Sequence, residues 1–189
     1  MKSSQKNNVL KTLAELLKRQ GDEIIHANGV DMDAFPDMDA SMRDRLKVDG
    51  TKIEGMIHSL EEVAAQADPE GKILYQHTRE DGLQIENRTV PFGTILIIYE
   101  SRPDVTIEAA ATAFKAGNRI LLKGGKEAFH SNTLLTRLWQ EALTVNGEEI
   151  HWVEYLNLNR EETQQLIRNN SRGVDLIIPR GGEGLIHFV

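Results

Sequence analysis

The residues from Val90 to Asn132, VPFGTILIIYESRPDVTIEAAATAFKAGNRILLKGGKEAFHSN, restrict the fold more than any other part of the chain. Thr94 to Ile98 is a near-continuous apolar run, the pattern of a strand covered on both faces. Tyr99 to Asp104 interrupts it with a proline and charged residues. Thr106 to Ala116 is rich in alanine, so a helix there can lie close against a sheet, and Gly117-Asn118 supplies its stop. Ile120 to Leu122 is the next apolar strand. It ends in Lys123-Gly124-Gly125-Lys126, and a further helix opens near Glu127. Two parallel strands joined by a helix require a right-handed crossover. That places the YESRPD loop and the LKGGK turn at one sheet edge, where ligands of open α/β sheets bind. A Gly-Gly turn opening a helix exposes backbone N–H groups, and the flanking lysines add positive charge, so the turn suits a phosphate. The same pattern also occurs as a plain tight turn.

The rest of the chain extends this pattern in both directions. Met1 to Asn8 is polar and is expected to fray. Val9, Leu10, Leu13, Leu16, Leu17, Ile24 and Ile25 follow helical spacing, which predicts an amphipathic helix over Val9–Ala27, bent at Gly21. Gly29 to Ala40 reads as a solvated acidic loop, because its aspartates lack the glycine and terminal glutamate of a calcium loop. A short helix over Ser41–Val48 is followed by a longer one, with Thr51 and Glu54 as its capping box. Ile73–Gln76 and Leu83–Val90 are candidate strands around the Asp81-Gly82 turn. Beyond the central stretch, Ile150–Leu156 and Val174–Ile178 are the third and fourth strands, separated by a helix that Asn159 and Glu162 cap. Strands alternating with helices predict a parallel α/β sheet.

At 189 residues the chain suits one domain, and a net charge of −7 argues against a nucleic-acid binder. No apolar run has the length of a membrane span and no signal peptide is visible, so the expectation is cytoplasmic. There is no cysteine, which excludes disulfides, thiolate metal sites and thiol catalysis. The six histidines show no metal-ligand spacing.

The blocks PFGTILIIYESRPDVT, AFKAGNRILLKGGKEAFHSN and VDLIIPRGGEGLI resemble the aldehyde dehydrogenase superfamily. More narrowly, they resemble its glutamate-5-semialdehyde dehydrogenase (γ-glutamyl phosphate reductase) branch, which serves proline biosynthesis. The resemblance runs from about Val9 to the last residue. It implies an α/β fold with the Rossmann-like parallel sheet of that family's cofactor domain, preceded by N-terminal helices and a β-hairpin. The implied segments are 1–71 (helical), 72–90 (a hairpin that docks on another subunit or on the missing catalytic half) and 91–189 (part of the cofactor domain). The implied reaction is reduction of γ-glutamyl phosphate to glutamate 5-semialdehyde by NADPH, in a homo-oligomer. Members use a cysteine nucleophile that lies downstream of the point where this sequence stops. The expectation is therefore an N-terminal part of the enzyme, with no catalytic residue of its own and no turnover alone. The alternative is a non-catalytic nucleotide-binding or assembly module of the same fold.

The resemblance also assigns site residues. Lys123 matches the superfamily lysine that contacts the adenosine ribose. Lys126 falls where NAD-preferring relatives carry a glutamate. A carboxylate there repels a 2′-phosphate and an ammonium attracts it, so the pair favours NADP(H). Gly124 and Gly125 form the turn between them. Arg180, Gly181 and Gly182 match the family's IPRGG block, where glycines admit the pyrophosphate or nicotinamide ribose and Arg180 suits phosphate oxygens. Ser101 aligns with an asparagine that relatives place near the reacting carbonyl. Arg102 suits the acyl phosphate and carboxylate of the substrate, with a surface salt bridge as its alternative. Asp104 stands at an expected helix N-cap.

Overall fold

The structure, a computed structural model, describes every residue from Met1 to Val189. Four helices come first: α1 (Ser3–Arg19), α2 (Gly21–Ala34), α3 (Ala40–Leu46) and α4 (Gly50–Ala65). An antiparallel hairpin follows, β1 (Ile73–Thr78) with β2 (Gln84–Arg88). The remainder alternates as β3 (Thr94–Tyr99), α5 (Val105–Lys115), β4 (Arg119–Lys123), α6 (Phe129–Val145), β5 (Val153–Tyr155), α7 (Arg160–Asn169), β6 (Leu176–Arg180) and α8 (Glu183–Ile186). The four later strands form one parallel sheet in the order β5-β4-β3-β6.

The apolar run of β3 serves two cores, as alternation across a pleat requires. Ile95, Ile97 and Tyr99 join the larger core with Val9, Leu13, Leu17, Met56 and Leu60 of the N-terminal helices. Leu96 and Ile98 face the other way, toward Leu166 of α7. Helices α5 and α6 thus cover one face of the sheet, with the N-terminal helices packed outside them, and α7 covers the other.

Helix α5 stops at Gly117, whose φ of +83° is the left-handed geometry glycine tolerates. The Gly117 and Asn118 N–H groups donate back to the Phe114 and Ala113 carbonyls, the Schellman pattern. The Asn159–Glu162 capping box forms as expected.

Several local expectations are corrected. Met1–Asn8 does not fray, because α1 begins at Ser3 and its Lys6 is buried among carboxylates. The bend comes at Gln20-Gly21 and splits the predicted helix in two, which turns Ile25 outward while Ile24 stays buried. The first half of the acidic loop is helix, since α2 continues through Gly29 to Ala34, and Phe35 to Asp39 is the loop that remains. Asp49, not Thr51, caps α4, accepting from the Lys52 N–H at 3.1 Å. Asp104 makes no side-chain cap bond. The turn already begins at Arg102, whose carbonyl accepts from the Val105 N–H, so Asp104 lies inside it.

The hairpin stands away from both cores. Every residue of β1 and β2 is exposed, including Leu74, Tyr75 and Ile85. No helix of the chain is long and apolar enough to cross a membrane.

Candidate functional site

Between β3 and β6 the strand order reverses direction, which is the switch point where open α/β sheets bind ligands at their carboxyl ends. The loops leaving the strands converge there. A Cβ added to Gly125 would lie 3.5 Å from the Ser101 nitrogen, so the LKGGK turn runs against the YESRP loop. A Cβ on Gly181 would meet the Glu100 carboxyl carbon at 2.7 Å, and the Gly182 N–H donates to Glu100 Oε2 at 3.3 Å. Gly124 is tighter still: a Cβ would sit 2.2 Å from Asn132 Nδ2.

These loops border a cavity of about 700 Å³. Lys123, Gly125 and Lys126 line it from the end of β4, Arg160 from the start of α7, and Leu185 and Phe188 from the last turn. Glu100 and Glu127 line it as well. The volume is in the range of small-molecule sites. Burial lowers the Lys123 ammonium below the usual lysine range, opposed by the charge of Glu127. Its Nζ donates to the Gly124 carbonyl at 2.9 Å. The Lys126 Nζ sits 5.9 Å from the centre of the Phe35 ring. None of the three cations makes an ion pair.

The register of the parallel strands divides the expected site residues into two groups. Lys123 pairs with Ile98 and lies on the α7 face, while Arg180 pairs with Tyr99 and lies on the α5 face. Lys123, Gly125 and Lys126 belong to the cavity, and Gly124 is buried beneath it. Arg180 instead lines an apolar groove of about 480 Å³ along α5. Arg102 is exposed, and Ser101 is buried directly beside the Gly125 turn. Burial raises the Glu108 carboxyl, helped by Asp104 and opposed by Arg180 and Arg102, so these four charges share one neighbourhood. Gly181 and Gly182 run between the two groups.

A buried polar network supports the site from below. The Tyr99 hydroxyl and Thr106 Oγ1 are 2.7 Å apart, and Thr106 Oγ1 donates to Asn132 Oδ1 at 2.9 Å. Burial pushes the Tyr99 phenol well up, so it stays protonated. Asp31 accepts from the His130 N–H at 2.9 Å, the Ser131 N–H at 2.8 Å and Ser131 Oγ at 2.6 Å. Asn28 Nδ2 donates to Ser131 Oγ at 3.1 Å, and Asn28 Oδ1 accepts from the Val48 N–H at 2.7 Å. Sequence reasoning missed Asp31, Asn28 and Arg160. The only available signal for Asp31 was its place in helical phase with Ile24 and Asn28, and the aspartates around it masked that.

No known family model matches the sequence. The chain is 43% identical over 189 residues to the γ-glutamyl phosphate reductase of Sulfurovum sp., an alignment covering 98% of this chain and 46% of the relative. It superposes on the crystal structure of the Thermotoga maritima γ-glutamyl phosphate reductase with a TM-score of 0.95 and 39% identity, over 100% of this chain and 46% of that one. A probable aldehyde dehydrogenase of Listeria monocytogenes matches with a TM-score of 0.74 at 13% identity, over 100% of this chain and 39% of that one, which shows the shared fold. The chain is thus homologous along its whole length to the N-terminal part of the γ-glutamyl phosphate reductases, carries the aldehyde dehydrogenase fold, and spans about half the length of those relatives.

Proposed function

We propose that this chain carries the nucleotide-binding part of a cytoplasmic γ-glutamyl phosphate reductase of proline biosynthesis and takes NADP(H) in the cavity at the carboxyl edge of its sheet. The observation that carries this reading is the lining of that cavity by three cationic side chains, Lys123, Lys126 and Arg160, none of which makes an ion pair. Lys123 reaches the adenosine ribose, and Lys126 favours a phosphate on that ribose. The glycines of the two turns, Gly124-Gly125 and Gly181-Gly182, let the backbone approach the dinucleotide. Ser101 and Arg102 border the substrate side, where Arg102 suits the acyl phosphate and carboxylate of γ-glutamyl phosphate, and Arg180, beside Gly181-Gly182, suits phosphate oxygens of the cofactor. When bound, the nicotinamide supplies the hydride that reduces the acyl group to the semialdehyde.

The chain has no cysteine, so it holds no thiol to attack that acyl group, and no turnover is expected from it alone. The second reading is a nucleotide-binding or assembly module that acts through a partner. The exposed hairpin, with Leu74, Tyr75 and Ile85 in solvent, suits docking on another subunit of a homo-oligomer.

The test is Lys126→Glu, with NADPH and NADH affinity measured by calorimetry. The reversed charge should weaken NADPH about tenfold and leave NADH within about twofold, the discount reflecting an exposed lysine. Equal affinities for NADPH before and after the change would remove Lys126 from the site.

A further inference from the structure

We propose that Asn132, oriented through Thr106 by the Tyr99 hydroxyl, is a positioning residue that fixes the LKGGK turn for the nucleotide. The inference rests on the nucleotide reading above and adds two residues, Thr106 and Asn132, that do not line the cavity. Four elements meet at this point. Tyr99 ends β3, Thr106 and Asn132 stand in the first turns of α5 and α6, and Gly124 follows β4. All four residues are buried.

A threonine hydroxyl has one proton to give. Thr106 Oγ1 donates it to Asn132 Oδ1 at 2.9 Å, so the Tyr99 hydroxyl, 2.7 Å away, donates to Thr106. Burial keeps the Tyr99 phenol protonated for that bond. The chain of bonds thus runs one way, and it settles which end of the Asn132 amide faces Thr106. Nδ2 points to the other side, where no acceptor meets it in hydrogen-bonding geometry. It lies near the Tyr155 phenol, which burial raises and the Asn132 amide draws back. Asn132 also underlies Gly124, where a Cβ would overlap Nδ2 and approach the Tyr99 ring to 3.1 Å. The backbone at Gly124 therefore rests directly on the amide. The Gly124 carbonyl in turn accepts from Lys123 Nζ at 2.9 Å. Rotation of the Asn132 amide moves Gly124, and with it the carbonyl that holds the Lys123 ammonium at the cavity. A buried, one-way chain of hydrogen bonds holds such a supporting side chain to one orientation.

The experiment measures NADPH and NADH binding by calorimetry to the full 189-residue chain as wild type, Thr106→Val, Thr106→Ser and Tyr99→Phe, each below its own melting midpoint. Valine keeps the packing of threonine and loses the hydroxyl, whereas serine keeps the hydroxyl and loses the methyl. Thr106→Val should weaken NADPH about fivefold or more, and NADH by the same factor, because Lys123 meets a part that the two dinucleotides share. Thr106→Ser should bind within about twofold of wild type, even though it melts lower. Tyr99→Phe keeps the ring against Gly124, removes only the first donor, and should weaken both ligands by a smaller factor. Wild-type affinity in Thr106→Val, or a Thr106→Ser as weak as Thr106→Val, would reduce this network to packing and overturn the positioning role while leaving the nucleotide site standing. If Thr106→Val does not fold, wild-type affinity in Tyr99→Phe overturns it instead. A wild-type chain that binds neither dinucleotide would overturn the nucleotide reading and this one with it.

Discussion

Asp31→Ala is expected to lower the unfolding midpoint by about 6–12 °C. Asp31 is 1% exposed and accepts three hydrogen bonds at the start of α6. Its removal leaves the His130 and Ser131 N–H groups and the Ser131 hydroxyl without that acceptor, in a place water reaches poorly. A lost cap costs about 1 kcal/mol and a buried unsatisfied group about 1–3 kcal/mol, for a total near 3 kcal/mol. In a domain of this size each kcal/mol shifts the midpoint by about 2–4 °C. The damage also spreads to Asn28, which donates to Ser131 Oγ and to the Leu46 carbonyl. Asp31→Asn keeps one acceptor oxygen and should recover part of the loss. Because α6 opens from the LKGGK turn, Asp31→Ala should weaken nucleotide binding as well. A scanning-calorimetry midpoint within about 1 °C of wild type would show that α6 does not depend on this cap.

Lys6→Met should cost about 2–4 kcal/mol. The ammonium is 1% exposed, contacts Asp68 at 3.1 Å and Glu70 at 2.5 Å, and donates to the Lys115 carbonyl at 3.2 Å. Breaking a buried pair leaves charge uncompensated, at about 3–5 kcal/mol. The lower range applies here because the Glu70 and Asp68 side chains are 35% and 17% exposed and can be hydrated. Lys6 also ties three segments together: α1, the hairpin root at Asp68–Glu70, and the end of α5. The substitution should therefore loosen the hairpin before the sheet, seen as faster amide exchange in β1 and β2.

The same pair gives a pH dependence of fixed sign. Burial alone would raise the Asp68 carboxyl. The Glu70 N–H and the Lys6 ammonium outweigh burial and hold it below its ordinary value of 3.8. A depressed folded-state pKa contributes stability that is complete above the ordinary value and is lost as pH falls through the depressed one. Wild type should therefore lose stability in acid below about pH 4. Lys6→Met, already without the pair, should lose less over that window. Urea midpoints at neutral pH and below pH 4 read the difference directly.

The features legible in the sequence were those carried by neighbouring residues. The apolar run of β3, the Gly117 stop and the Asn159–Glu162 box all depend on residues within a few positions of each other, and all three form. The carboxyl-edge meeting of the YESRP and LKGGK segments followed from crossover handedness, and Gly125 does lie against Ser101. Long-range pairing was invisible. Asp31 meets Ser131 across 100 positions and Lys6 meets Asp68 across 62, so neither charge announces its partner. The acidic stretch looked like a loop because Gly29 and its aspartates are poor helix formers, yet packing holds α2 through it. The division of Lys123 from Arg180 needed strand order and register, which no single segment encodes.

The central claim is that the cavity at the carboxyl edge of the sheet takes a phosphorylated nicotinamide dinucleotide. A thermal-shift titration of the 189-residue chain with NADPH, and in parallel with NADH, tests it most directly. At 100 times its dissociation constant a ligand stabilises by about 2.7 kcal/mol, which is about 5–10 °C here. The expected result is a rise of that size with NADPH at concentrations where NADH moves the midpoint much less. A cooperative melt that neither dinucleotide moves, or that both move equally at equal concentration, would contradict it.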